Sequence, residues 1–159
     1  MRFNTVSELQ HKLKADIVQA VNGRLAEICM EIVRNNVREK GYIQNDQTDY
    51  DRTWELLNSV TIGNLSVGYK YIGFEVFMDA EKIDYNITGD GEWNQHASMK
   101  GEDKSEQIPL WVEKGTKGSL WDRPAGNYMQ HSTSELGDGR LAEALANELR
   151  KEGWKVVRV

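Results

Sequence analysis
Leu9, Leu13, Ile17, Val21, Leu25, Ile28, Ile32 and Val37 recur mostly at three- and four-residue steps among charged neighbours. That is the mark of one apolar stripe on a helix, and it predicts a single helix over residues 7–40. Ser7 and Gln10 have the order of a capping box at its start, and Gly41 suits the position after its end. A helix of about 34 residues spans about 50 Å at 1.5 Å per residue, longer than a small domain needs. It therefore either wraps across a sheet or extends towards a neighbour. Asn22-Gly23 is its weak point, the place for a kink or a break.

Beyond a polar connector at 42–53, residues 54–87 read as a helical turn and a β-hairpin. Trp54 to Val60 gives a short turn running into a strand, and Gly63-Asn64 turns the chain into Ser66–Met78. Ile72, Phe74, Val76 and Met78 share the face that covers a core. Tyr71 and Phe77 lie on the opposite face, which implies cover from the long helix or from another subunit. Residues 88–108 have no period and read as a long functional loop, with Trp93 and Met99 as apolar anchors. From 109 to 159 the pattern predicts a strand (109–114), a Gly115-Thr116 turn and a loop ending at Pro124. A helical turn follows within 125–131, then an amphipathic helix begins near Asp138-Gly139-Arg140. Leu141, Leu145 and Leu149 face inward on that helix, Gly153 caps it, and residues 154–159 form a terminal strand. The fold class is α+β: one domain over 1–159, an antiparallel β-sheet packed by the long N-terminal helix and a C-terminal helix.

Composition narrows the function. The 159 residues carry a net charge of −5 and are 39% apolar. An acidic chain argues against a general phosphate-binding surface, and Arg34, Arg38 and Lys40 suit the negative end of the helix macrodipole. Five Trp and six Tyr fill the core or face partners. Cys29, the single cysteine, has no disulfide or metal-pair partner and reads as a small buried hydrophobe. Asp46, Asp49 and Asp51 lack the glycine and terminal glutamate of a calcium loop. His11, His96 and His131 have no metal-site spacing. His131-Ser132-Thr133-Ser134-Glu135 fits a helix N-terminus better than a triad. Gly89-Asp90-Gly91 reads as a turn, and nothing marks Glu113 and Asp122 as a catalytic pair. No catalytic, cofactor or metal site is expected. With no signal-like N-terminus and no apolar run of membrane length, synthesis and folding in a cytoplasm are expected.

Three segments carry a resemblance. Arg52-Thr53-Trp54-Glu55-Leu56-Leu57-Asn58-Ser59-Val60 is similar to the Arg-Thr-Gly-x-Leu-x-x-Ser-hydrophobic motif of head–tail joining, tail-completion proteins of long-tailed phages, with Trp54 where glycine is usual. Leu110-Trp111-Val112-Glu113-Lys114-Gly115-Thr116 resembles their Tyr-Val-Glu-x-Gly-Thr segment. Arg123-Pro124-Ala125 resembles in part their proline-containing helix start. The order of elements is similar over about residues 7–150. The resemblance implies a virion structural protein of the phage neck: a homo-oligomeric ring, a hexamer, that completes or caps the tail tube and joins it to the head connector. Its implied partners are further copies of itself, the tail tube protein and the connector or stopper proteins. DNA would pass through the lumen without specific binding, and no membrane is involved. Trp93, Met99, Trp111, Glu113, Gly115, Thr116, Trp121 and Arg123 are the expected interface residues. The alternative is a small cytoplasmic binding or regulatory module without catalysis, and a hydrolase is a distant third.

Overall fold
The computed structural model describes residues 1–43, 54–83, 105–117 and 124–157. The apolar stripe forms the expected long helix. It consists of α1 (Val6–Ala20) and α2 (Ala26–Asn36), joined by a wider π-type turn over Val21–Leu25 and followed by a second over Val37–Tyr42. Asn22-Gly23 lies inside the first wide turn, so the weak point widens the helix without breaking it. Gly41 lies within the second and does not terminate it. The cap also differs from the expected Ser7 and Gln10. The Glu8 N–H donates to Thr5 Oγ1 at 3.1 Å, and Glu8 Oε2 accepts from the Asn4 N–H at 2.9 Å. Thr5 with Glu8 fits the capping pattern more closely, because a carboxylate accepts more strongly than an amide.

Next come α3 (Glu55–Asn58), β1 (Val60–Ile62), β2 (Ser66–Val67), β3 (Ile72–Gly73) and β4 (Val76–Met78). The expected hairpin is rearranged: Ser66–Met78 is not one strand and Gly63-Asn64 is not its turn, because the chain folds back at 68–71 so that β2 pairs with β3 and β1 with β4. Between β3 and β4 the stretch exchanges one partner strand for the other, and Glu75 O already accepts from the Gly63 N–H at 2.8 Å just beyond β1. The faces alternate as the pattern requires: Ile72, Phe74, Val76 and Met78 are half-buried, while Tyr71, Glu75 and Phe77 are exposed. Three further helices follow, α4 (Ile108–Lys114), α5 (Tyr128–Leu136) and α6 (Arg140–Lys151). Helices around a small antiparallel sheet make the fold α+β.

Three expectations are corrected here. Residues 109–114 form α4 and not a strand, because Pro109 occupies the first helical turn, where its missing N–H costs nothing and its fixed φ suits the helix. Pro124 opens no helix, and α5 begins only at Tyr128. Ser132 to Glu135 consequently lie in the body of α5 and not at its start. Residues 154–157 are in no strand. The end of α6 turns in a Schellman motif instead, with Gly153 at φ 88°. The Trp154 N–H donates to Leu149 O at 3.0 Å, and the Gly153 N–H donates to Arg150 O at 2.9 Å, which satisfies two orphan carbonyls.

The chain divides into two compact units. The first comprises Met1–Ile32, Ile62–Val76 and Ser134–Val159. Its core is Ala20, Val21 and Leu25, packed by Ile17 of α1, Leu65, Ile72 and Phe74 around the β2–β3 hairpin, and Leu141, Ala144 and Leu145 of α6. The Schellman turn delivers Trp154 to α1, where it stacks on Phe3 with ring centroids 5.7 Å apart. Its indole N–H donates to Asp16 Oδ2 at 2.8 Å, and Lys12 Nζ holds Asp16 Oδ1 at 2.6 Å. Asp16 is only 3% exposed. The Lys12 hydrogen bond, with the indole's added, keeps its carboxyl below the usual carboxylate range despite burial.

The second unit comprises Val33–Thr61 and Phe77–Thr133. Val33, Val37, Leu56, Val60, Ile83, Val112 and Tyr128 are buried in it. Ser59, also buried, donates its hydroxyl to Leu56 O at 2.8 Å. Leu56, Ser59 and Val60 of the first motif are therefore core residues.

Candidate functional site
The Leu110–Thr116 segment builds a corner in the second unit. Pro109 starts α4, Val112 is buried, and Gly115 ends the helix at φ 72°, a left-handed backbone suited to glycine. Asn127, itself at φ 50°, brings the chain back against α4. There the Gly126 N–H donates to Val112 O at 2.9 Å and the Asn127 N–H to Glu113 O at 3.0 Å. Gly126 is dictated by this approach, since a Cβ would lie 2.7 Å from Val112 O.

Glu113 reaches the first turn of α5. Its Oε2 accepts from the Met129 N–H at 2.9 Å and its Oε1 from the Gln130 N–H at 3.4 Å. A carboxylate from another helix thus caps α5, where free N–H groups and the positive end of the dipole favour negative charge. The Tyr128 hydroxyl donates to Pro109 O at 2.9 Å, and Tyr128 is 1% exposed. This geometry ties α4 to α5.

The expected interface residues divide accordingly. Glu113 and Gly115 shape the corner, while Trp111 and Thr116 are half-buried beside it. Leu110, not singled out in the sequence, is 51% exposed on the same helix. Trp93, Met99, Trp121 and Arg123 lie outside the described residues, as do residues 88–104 of the predicted long loop.

A second surface, in the first unit, was only partly visible in the sequence. The β2–β3 hairpin pairs Ser66 with Gly73 and Val67 with Ile72, and its turn closes through the Gly68 N–H to Tyr71 O at 2.8 Å. This presents Tyr69 at 97% exposure and Tyr71 at 63%. Alternation had flagged Tyr71. The remaining signal was Tyr69-Lys70-Tyr71 directly after a turn glycine.

Cys29 is buried, which pushes its thiol pKa up and leaves it inert. Among the described residues no three His, Cys, Asp or Glu side chains come together as a metal site, and no helix is long and apolar enough to cross a membrane.

Residues 5–151 match the family model YomN. The chain belongs to the YomN family. That family is derived from a Bacillus phage, so the chain is a phage-associated protein. No curated protein and no solved structure matches it. The YomN match runs from Thr5, the cap of α1, to Lys151, the last residue of α6, and so takes in both the corner and the hairpin.

Proposed function
We propose that this YomN-family protein is a structural protein of the phage neck. It forms a homo-oligomeric ring, a hexamer, that completes or caps the tail tube and joins it to the connector or stopper proteins of the head. The observation that carries this reading is the aromatic hairpin surface left open in a single chain, with Tyr69 at 97% and Tyr71 at 63% exposure. Solvent-facing aromatic groups of this kind suit a surface that a partner covers. Family origin and element order support it: a long N-terminal helix, a hairpin, a Glu-x-Gly-Thr corner and a C-terminal helix occur in a phage-derived family.

In this reading the corner is a rigid mount. Glu113 and Gly115 fix its shape, and Trp111 and Thr116 meet neighbouring subunits or the tail tube. Trp93, Met99, Trp121 and Arg123 complete the contacts. DNA passes through the lumen without specific binding, and the protein performs no catalysis. Its place is the neck of the virion, after synthesis in the host cytoplasm, with no membrane partner.

Mass photometry with negative-stain imaging over a concentration series tests this. Closed rings with a central hole are expected, either free or once tail tubes are supplied as template. A chain that stays monomeric and does not bind tail tubes would overturn the reading in favour of a small binding module.

A further inference from the structure
We propose that the Tyr69-Lys70-Tyr71 tip of one copy docks into the groove between the long helix and α6 of the next copy; this inference rests on the ring reading above. The tip and the groove both belong to the first unit and differ in shape and in free charge.

The tip is closed by the Gly68–Tyr71 backbone bond, with the Tyr71 ring laid back over Gly68 and its outer face exposed, while Tyr69 stands almost wholly clear of the turn. Lys70 is exposed, with no ion pair among the described residues. The groove is open to solvent along its length and offers about 590 Å³ of space, room for side chains of a docking partner. Half-buried Ile28 and Ala144 give it apolar surface. Its three cations already hold acids of their own chain. Arg24 pairs with Glu27 at 3.3 Å, Arg140 with Asp138 at 2.8 Å and Glu135 at 3.0 Å, and Lys151 with Glu148 at 2.6 Å. Glu143 lines the same groove without an ion pair among the described residues. An unpaired cation on the tip thus meets an unpaired carboxylate in the groove, while the tyrosine rings cover Ile28 and Ala144.

A contact between two unlike patches of one chain is heterologous, and such contacts close into rings when the rotation allows. Two tyrosines bury about 300–500 Å², well below the roughly 1,200 Å² of a stable pairwise interface. A single tip-in-groove contact is therefore weak, and ring closure or a template is needed to hold it.

Charge reversal and cross-linking test the docking. Lys70→Glu or Glu143→Lys alone should raise the protein concentration needed for rings about tenfold, since each replaces attraction by repulsion. The double reversal should restore assembly. A mixture of Tyr69→Cys and Asn147→Cys chains should give mixed disulfide dimers on oxidation, with or without tail tubes, and neither variant alone should cross-link. Tip-to-tip disulfides from Tyr69→Cys alone would overturn the docking. Rings that form normally in both single reversals, with no mixed disulfides, would also overturn it while leaving the ring itself standing on other surfaces. Absence of mixed disulfides together with failure to bind tail tubes would remove both.

Discussion

At the scale of single residues, Trp54 shows best how a departure from a motif acquires a physical meaning. It stands where the neck-protein motif has glycine, and its backbone is left-handed at φ 61°, ψ 11°. For a residue with a Cβ that conformation costs about 1–2 kcal/mol. The ring compensates by lying 4.8 Å from that of Tyr42, a contact worth about 0.5–1.5 kcal/mol. Trp54→Ala keeps the strain and loses the ring, so it should destabilise by about 0.5–1.5 kcal/mol. Trp54→Gly loses the ring but removes the strain, and should be about 1 kcal/mol more stable than the alanine variant. Urea unfolding midpoints of the two variants decide it, and the reverse order would remove strain from the account. The sequence exposed the departure but not the backbone angle behind it.

Asp16 was less legible still. Nothing sets it apart from the other charged neighbours of the apolar stripe, because its indole partner on Trp154 lies 138 positions away. Its carboxyl is held below the ordinary value of 3.8 by the Lys12 hydrogen bond, with the indole's added, so folding favours the charged form. That stability is complete above about pH 4 and is lost as pH falls through the depressed folded value. Asp16→Asn should cost about 1–3 kcal/mol at pH 7. It should also flatten the loss of melting temperature below pH 4, which thermal melts from acid to neutral pH would show. An equally steep acid decline in the variant would assign it to other carboxylates.

At the scale of elements, the long helix and α6 were legible because apolar periodicity over many residues admits one reading. A run as short as Leu110-Trp111-Val112 admits two, and Pro109 in the first turn decided for a helix. The corner was legible as a corner, through Gly115 and Thr116, but its fastening was not. The N–H groups that Glu113 caps belong to Met129 and Gln130, across a stretch with no local signal. Glu113→Ala should destabilise by about 1 kcal/mol, the usual effect of a lost helix cap. It should also speed amide exchange at Met129 and Gln130, with Glu113→Gln intermediate. Gly126→Ala should cost more, about 2–3 kcal/mol, because the Val112 carbonyl it would strike is backbone and cannot rotate away. Exchange at α5 unchanged by Glu113→Ala would show that the cap contributes nothing.

At the scale of the whole molecule, charge constrains what the proposed ring would do with DNA. Asp and Glu number 25 against 20 Lys and Arg. Arg24, Arg140 and Lys151 are each engaged with acids of their own chain. Binding to duplex DNA draws on counterion release by cations grouped on one surface. Here the tightest cationic group in the sequence, Arg34, Arg38 and Lys40, shares its helix with Glu31 and Glu39. The proposed neck ring would have to let the genome pass, and a lumen that does not hold phosphates would lower the barrier to movement. Neither the single chain nor the assembled ring should therefore retard a duplex in a mobility-shift titration to about 10 µM protein at physiological salt. That concentration lies within the range where general phosphate binders already retain DNA. Retention with a steep salt slope would reveal a cationic surface created by assembly, and the ring would then grip the genome at the head–tail junction instead of merely passing it.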